Sequence, residues 1–167
     1  MSPGDHDARR ALLRSRVRDV PDFPKPGILF RDLTPLMGDG VAMREAIDML
    51  AEAAARHRPE LVVAIESRGF IFGAPLAQRL GVPLQLVRKR GKLPRKALTA
   101  RYELEYGFDQ LEVHEDAIRK GGRYLIVDDV IATGGTAAAV AGLVAQQGAS
   151  VAACLFLYWR FRKNGWL

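Results

Sequence analysis

The sequence predicts an α/β fold in which a parallel sheet is flanked by helices. The chain has 167 residues and is 49% hydrophobic, which suits one domain with a substantial core. Four short apolar runs lack alternation, as strands covered on both faces do, and segments of helical period separate them. Strand–helix–strand order implies parallel pairing with right-handed crossovers. The four runs are residues 61–65, 84–87, 124–127 and 151–157.

The helices are predicted from apolar spacing and from residues that begin or end helices. Asp39 is expected to cap the second of them, while Gly81 and Gly148 are expected to end the last two. The predicted helices are residues 8–17, 41–56, about 70–80 and 136–147.

Three other segments lack both patterns. Residues 20–26 hold three prolines and are expected to be irregular. Residues 88–100 are basic and have no helical period, so they are interpreted as a mobile loop. Residues 101–113 alternate enough to predict an antiparallel pair around Gly107.

The charge of the chain favours an anionic ligand. Its formal net charge is +6, and six of the nine residues 88–96 are basic with no aromatic among them. Proteins that bind single-stranded nucleic acid combine such charge with stacking aromatics. A phosphate-rich small ligand is therefore at least as well supported, and a solvated basic loop stays open as an alternative.

Several common sites and cellular locations are excluded. Gly91-Lys92 is followed by Leu93, so no P-loop is formed, and no dinucleotide-binding glycine motif or G-x-S-x-G elbow occurs. The chain has no apolar run long enough to span a membrane and begins with polar residues, and Cys154 is its single cysteine. A cytoplasmic location is expected.

The strongest motif begins at Leu125. An apolar strand leads to Asp128 and Asp129, and a glycine-rich turn then opens a helix. The glycines allow a close backbone approach, and the N–H groups at the helix start favour a phosphate. The two acids would repel a phosphate, so they suit the hydroxyls of a sugar that carries it. The turn consists of Ala132, Thr133, Gly134, Gly135 and Thr136.

This segment resembles the signature of the type I phosphoribosyltransferases. The resemblance implies that Asp128 and Asp129 contact the ribose hydroxyls of phosphoribosyl pyrophosphate. It also implies that the turn from Ala132 to Thr136 holds the 5′-phosphate. The match alone leaves the accepting base open.

Four further segments resemble the adenine phosphoribosyltransferases of that family. They are residues 23–34, 66–70, 88–94 and 104–107, and the resemblance runs from about residue 19 to residue 157. It implies a reaction of purine salvage, in which adenine and phosphoribosyl pyrophosphate give AMP and pyrophosphate. It also implies a Rossmann-like sheet with a small N-terminal hood and a flexible loop. We expect one domain over residues 1–167, with the hood at about 1–34 and the core at about 35–158.

The resemblance also implies roles for single residues. Ser67 and Arg68 bind pyrophosphate next to a cis peptide bond between Glu66 and Ser67. Glu105 closes over the base and helps to move the proton of its imidazole ring, which makes Glu105, Arg68 and Arg88 the expected catalytic residues. Further pyrophosphate contacts are expected from Lys89 and Lys92, with Arg88 reaching across a homodimer.

The adenine pocket is expected at Leu29 and Arg31, through backbone groups, and at Phe30, through stacking. A purely apolar core role for Phe30 stays an alternative. The implied cofactor is Mg²⁺, held by the substrate without a direct protein ligand, with water-mediated contact to Asp128 and Asp129 as an option.

Three points are left open. Residues 158–167 depart from the family pattern, because acids are missing and Trp159 and Trp166 appear. The base could be another purine, such as xanthine or hypoxanthine. A non-catalytic regulator that senses phosphoribosyl pyrophosphate and binds nucleic acid is the alternative from another class.

Overall fold

The computed structural model describes residues 3–103, 108–131 and 133–159. The chain divides into two compact units, Met1–Met49 and Leu50–Leu167. The expected limits of a hood and a core stay a prediction.

The first unit begins with helix α1 (Pro3–Ser15) and a small antiparallel hairpin of β1 (Arg18–Val20) and β2 (Phe30–Asp32). The short helix α2 (Thr34–Met37) follows, and α3 (Gly40–Ala55) starts in this unit. Asp39 caps α3, because its Oδ1 accepts hydrogen bonds from the backbone N–H of Val41 at 3.0 Å and of Ala42 at 3.1 Å. The helix predicted at residues 41–56 and this cap are confirmed. The first predicted helix is also present, but it begins at Pro3 instead of residue 8 and ends at Ser15.

The second unit is built on a six-stranded sheet in the order β5-β6-β4-β3-β7-β8. Strands β4, β3, β7 and β8 are parallel, and β6 and β5 continue the sheet from β4 in antiparallel pairing. The strands are β3 (Leu61–Ile65), β4 (Leu84–Lys89), β5 (Ala97–Glu103), β6 (Phe108–His114), β7 (Arg123–Ile131) and β8 (Ser150–Trp159). Helices α4 (Arg68–Leu80) and α5 (Gly135–Gln146) connect parallel strands, and a 3-10 turn (Glu115–Ala117) precedes β7. The predicted fold class is confirmed.

Two predicted boundaries in the second unit were also wrong. The basic loop predicted at residues 88–100 is shorter, because Arg88 and Lys89 end β4 and β5 already begins at Ala97. The strand predicted at residues 124–127 continues through both acids to Ile131. In each case backbone pairing with a neighbouring strand extends the strand past the predicted apolar run, since ladder hydrogen bonds do not depend on side-chain polarity.

The core of the second unit lies between the sheet and its helices. Val63, Ile65 and Ile126 are almost completely buried and pack with Val140 and Leu143 of α5. The other sheet partner, α4, approaches β3 so closely that a Cβ on Gly73 would lie 2.5 Å from the Cβ of Ala64. Neither helix, nor any other helix among the described residues, has the length and apolar character needed to cross a membrane.

Candidate active site at the carboxyl ends of the strands

The register of the parallel strands brings the predicted motifs to one edge of the sheet. Ile65 is paired with Val87, and Ala64 with Val127. One residue further along, Glu66 lies beside Arg88 of β4. On the other side of β3, Asp128 of β7 lies beside Ile65. Ligands of open α/β sheets bind at this edge, beyond the carboxyl ends of the strands.

The acidic pair lies in the second half of β7. The Asp129 side chain is only 5% exposed, and its Oδ2 lies 2.8 Å from Nε of Arg68, the first residue of α4. This contact is an ion pair without hydrogen-bond alignment, since within the described part of the chain Asp129 Oδ2 accepts no hydrogen bond. A buried acceptor of this kind suits a ligand hydroxyl or a hydrated cation.

Asp128 is half-buried next to Asp129, and its Oδ1 accepts a hydrogen bond from the Asp129 backbone N–H at 2.9 Å. Burial, reinforced by the charge of Asp129, raises the pKa of Asp128 from 3.8 to about 7, against the opposing effect of Arg68. Among the residues that the structure describes, no three His, Cys, Asp or Glu side chains gather to hold a metal ion.

A glycine allows α4 to start against the acidic pair. A Cβ on Gly69 would lie 2.9 Å from the carbonyl oxygen of Val127 and 3.2 Å from Cα of Asp128. Both atoms belong to the backbone, so no side chain could move aside to make room. Gly69 therefore sets the short distance between Arg68 and the end of β7.

The glycine-rich turn leads from β7 into α5. Gly134 precedes the helix with φ of 83°, a conformation that favours glycine, and Thr133 Oγ1 accepts from the Gly135 backbone N–H at 3.4 Å. Thr133 is exposed, whereas Gly134, Gly135 and Thr136 are half-buried. The first N–H groups of a helix have no partner within it and carry the positive end of its dipole, so this turn can bind a phosphate.

The basic segment 88–92 covers the last two residues of β4 and the turn that follows them towards β5. The Arg88 guanidinium donates from Nε to Glu66 Oε2 at 3.2 Å and from Nη1 to the Lys92 carbonyl oxygen at 3.3 Å. Lys89 Nζ lies 3.6 Å from Asp109 Oδ2, and the side chains of Lys89 and Lys92 are exposed. Cations thus occur at the end of β4 on the same edge as the acidic pair.

The residues expected to hold the base lie in the first unit. Phe30 is half-buried in β2, and its ring meets that of Phe23 edge to face with 5.2 Å between centroids. Arg31 forms an ion pair with Asp19 across the hairpin. Leu29 is 41% exposed just before β2.

Comparison with known proteins decides the family. The model of the phosphoribosyl transferase domain matches residues 41–165, which include every element of the edge described above. The chain belongs to the phosphoribosyltransferase family. The predicted resemblance is therefore confirmed.

Relatives of this phosphoribosyltransferase share most of its length. It is 60% identical to the adenine phosphoribosyltransferase of Synechococcus sp. (strain JA-3-3Ab), over 87% of this chain and 83% of the relative. A crystal structure of adenine phosphoribosyltransferase from Thermoanaerobacter pseudethanolicus superimposes with a TM-score of 0.86 at 50% identity, covering 89% of this chain and 87% of the other. The Saccharomyces cerevisiae enzyme, solved with adenine and an imino-altritol bisphosphate, has a TM-score of 0.86 at 40% identity, with 92% and 89% covered.

The candidate site thus unites most of the predicted polar residues at one edge of the sheet. Ser67, Arg68, Arg88, Asp128 and Asp129 lie on three adjacent strands or directly after them, and the bond between Glu66 and Ser67 is cis, as expected. Glu105 and Ala132 lie outside the described residues, as do the side chains of residues 158–167. Sequence reasoning assigned no role to the Glu66 side chain, although Glu66 begins the family-like segment 66–70 and directly follows a buried strand.

Proposed function

We propose that this chain transfers the 5-phosphoribosyl group of phosphoribosyl pyrophosphate to adenine, giving AMP and pyrophosphate. The observation that carries the proposal is the meeting of Arg68, the acidic pair and the glycine-rich turn at one sheet edge. Such an edge offers separate groups for a leaving pyrophosphate, a ribose and a 5′-phosphate. The adenine phosphoribosyltransferases that this chain resembles supply the identity of the base.

Pyrophosphate is assigned to Ser67, Arg68, Arg88, Lys89 and Lys92. As the bond between C1′ and pyrophosphate breaks, negative charge accumulates on the leaving oxygens. Cations fixed next to these oxygens stabilise the transition state more than the ground state. Arg68 and Arg88 are therefore proposed as catalytic residues as well as binding residues.

The sugar and its phosphate are assigned to β7 and the turn after it. Asp128 and Asp129 accept hydrogen bonds from the ribose hydroxyls. The 5′-phosphate accepts hydrogen bonds from the N–H groups of the turn and of the helix start. Mg²⁺ bound to the substrate phosphates would neutralise part of their charge, and two adjacent carboxylates fit water-mediated contact with it. The phosphate turn comprises Ala132, Thr133, Gly134, Gly135 and Thr136.

Adenine is assigned to Leu29, Phe30 and Arg31, with Phe30 stacking on the purine and its two neighbours offering backbone groups. N9 of adenine attacks C1′ as pyrophosphate leaves, and the ring then gives up one proton. Glu105 is proposed to help move that proton. The homodimer and the cytoplasmic location stay predictions.

A panel of purine bases tests the proposed function. The purified chain is incubated with phosphoribosyl pyrophosphate, Mg²⁺ and adenine, hypoxanthine, xanthine or guanine in turn, and nucleotide and pyrophosphate are both quantified. We expect one AMP for each pyrophosphate released with adenine, and a much lower rate with the oxopurines. An oxopurine used faster than adenine would move the chain to another base, and no nucleotide from any base would overturn the proposal.

A further inference from the structure

We propose that Glu66 is a positioning residue, which holds Arg88 and Lys89 in place for pyrophosphate. The inference rests on the proposed function and adds a residue that acts through the cations rather than on the substrate. It starts from a contact between the ends of two neighbouring strands.

One carboxylate oxygen of Glu66 joins β3 to the basic turn. Oε2 accepts a hydrogen bond from the Lys89 backbone N–H at 2.9 Å and another from Arg88 Nε at 3.2 Å. The Glu66 side chain is 16% exposed and that of Arg88 is 32% exposed, so solvent screens the pair only in part. These hydrogen bonds, that from the Lys89 N–H first, lower the pKa of Glu66, which keeps the carboxylate charged at neutral pH.

The Arg88 guanidinium is held at two points. Nε donates to Glu66, and Nη1 donates to the Lys92 carbonyl oxygen at 3.3 Å. Because the guanidinium is planar and carries five N–H donors, two fixed nitrogens also fix the direction of the third. Nη2 can then meet a pyrophosphate oxygen without first losing side-chain entropy.

The rest of the turn is held from β6. The Gly91 N–H donates to Glu112 Oε2 at 2.9 Å, and the Arg90 N–H donates to the Gln110 carbonyl oxygen at 3.2 Å. The backbone of Arg88 and Lys89 is also paired with β6. Loss of the Glu66 carboxylate should therefore free the Arg88 guanidinium and the Lys89 N–H while the strand and the turn keep their anchors on β6.

The direction of the change in pyrophosphate binding distinguishes a positioning role of Glu66 from a purely electrostatic effect of its charge. A carboxylate next to an anion site repels the anion, so removal of its charge alone should tighten the binding of pyrophosphate. Positioning predicts the opposite, because a neutral amide oxygen holds the two donors less tightly than a carboxylate does, and the cations lose part of their fixed geometry. Glu66→Gln distinguishes the two, since it removes the charge at nearly constant size.

The test compares steady-state kinetics of Glu66→Gln and Glu66→Ala with the unchanged chain. We expect the KM for phosphoribosyl pyrophosphate to rise about tenfold in Glu66→Gln and further in Glu66→Ala, as the loss of a charge-assisted contact implies. The KM for adenine should stay within about twofold. Asp116→Asn is the matched control, because Asp116 forms an exposed ion pair with Arg95 at 2.7 Å, and it should leave both constants unchanged.

A double variant tests whether Glu66 acts through Arg88. In the Arg88→Gln background, Glu66→Gln should have a clearly smaller effect than alone, since one of its two partners is already gone. An unchanged or lower KM for phosphoribosyl pyrophosphate in Glu66→Gln would overturn the inference, as would full additivity. If the unchanged chain forms no AMP, the proposed function fails instead.

Discussion

Among single residues, the adjacent carboxylates of Asp128 and Asp129 show most clearly that the site is built for binding at the expense of stability. Asp129 is almost completely buried, and the pKa of Asp128 is raised to about 7 by burial and by the charge of Asp129. Arg68, at the start of α4, offsets part of this charge. Acids in such surroundings are expected where a ligand uses them.

This arrangement predicts how stability depends on pH. An unfolded Asp has a pKa of about 3.9, so between about pH 4 and pH 7 the folded chain binds more protons at Asp128 than the unfolded chain does. The free energy of unfolding should therefore fall as pH rises through this window and level off above it. Asp128→Asn removes this loss, so we expect the variant to be more stable than the unchanged chain at about pH 8, with a smaller difference at about pH 5.

Urea unfolding of both chains at the two pH values measures this difference. Asp116→Asn serves as a control of opposite sign, because a hydrogen bond from Arg95 lowers the pKa of Asp116 and removal of that acid cannot stabilise the chain at high pH. A difference between Asp128→Asn and the unchanged chain that is the same at both pH values would rule out the raised pKa.

At the scale of elements, the hydrophobic pattern predicted where the buried strands lie but did not predict where all of them end. Leu61–Ile65 coincides with its predicted apolar run, because both faces of this central strand are covered. Lys89 and Ile131 end strands that continue beyond the predicted apolar runs, because β4 stays paired with β6 and β7 stays paired with β8. The three-residue strands β1 and β2 were not predicted, since so few residues show no period.

The start of α4 gives a prediction at this scale. Gly69→Ala would bring a Cβ within 2.9 Å of the Val127 carbonyl oxygen, so α4 or β7 must shift. We expect a loss of about 1–3 kcal/mol in the free energy of unfolding, as overpacking typically causes. We also expect kcat/KM for phosphoribosyl pyrophosphate to fall by a larger factor than the loss of stability alone would cause, because the shift separates Arg68 from Asp129.

Gly142→Ala is the matched control within α5, where nothing lies within 4 Å of the added Cβ. Alanine is the better helix former, so this variant should be as stable as the unchanged chain or up to about 1 kcal/mol more stable. Equal behaviour of the two variants in urea unfolding and in AMP formation would contradict the close approach assigned to Gly69.

At the scale of the whole molecule, the order of the strands explains why a site was predictable from scattered motifs. Glu66, Arg88 and Asp128 are far apart in sequence, yet parallel pairing places the ends of β3, β4 and β7 side by side. The side-chain contact between Glu66 and Arg88 was not predictable, since it depends on which two strands are neighbours. The assignments of Leu29, Phe30, Arg31 and Glu105 rest on family resemblance and stay predictions.

Phosphoribosyl transfer at this edge of the sheet is proposed to depend on Arg68. A variant of Arg68 therefore tests the proposed function most directly. The measurement is the rate of AMP formation against phosphoribosyl pyrophosphate concentration at saturating adenine, for the unchanged chain and for Arg68→Ala. We predict AMP from the unchanged chain and a loss of at least about 100-fold in kcat/KM for phosphoribosyl pyrophosphate in the variant, as removal of a donor to developing charge implies. Arg79→Ala, at the other end of the same helix, should keep nearly the full rate. No AMP from the unchanged chain, or near-normal kinetics in Arg68→Ala, would contradict this account.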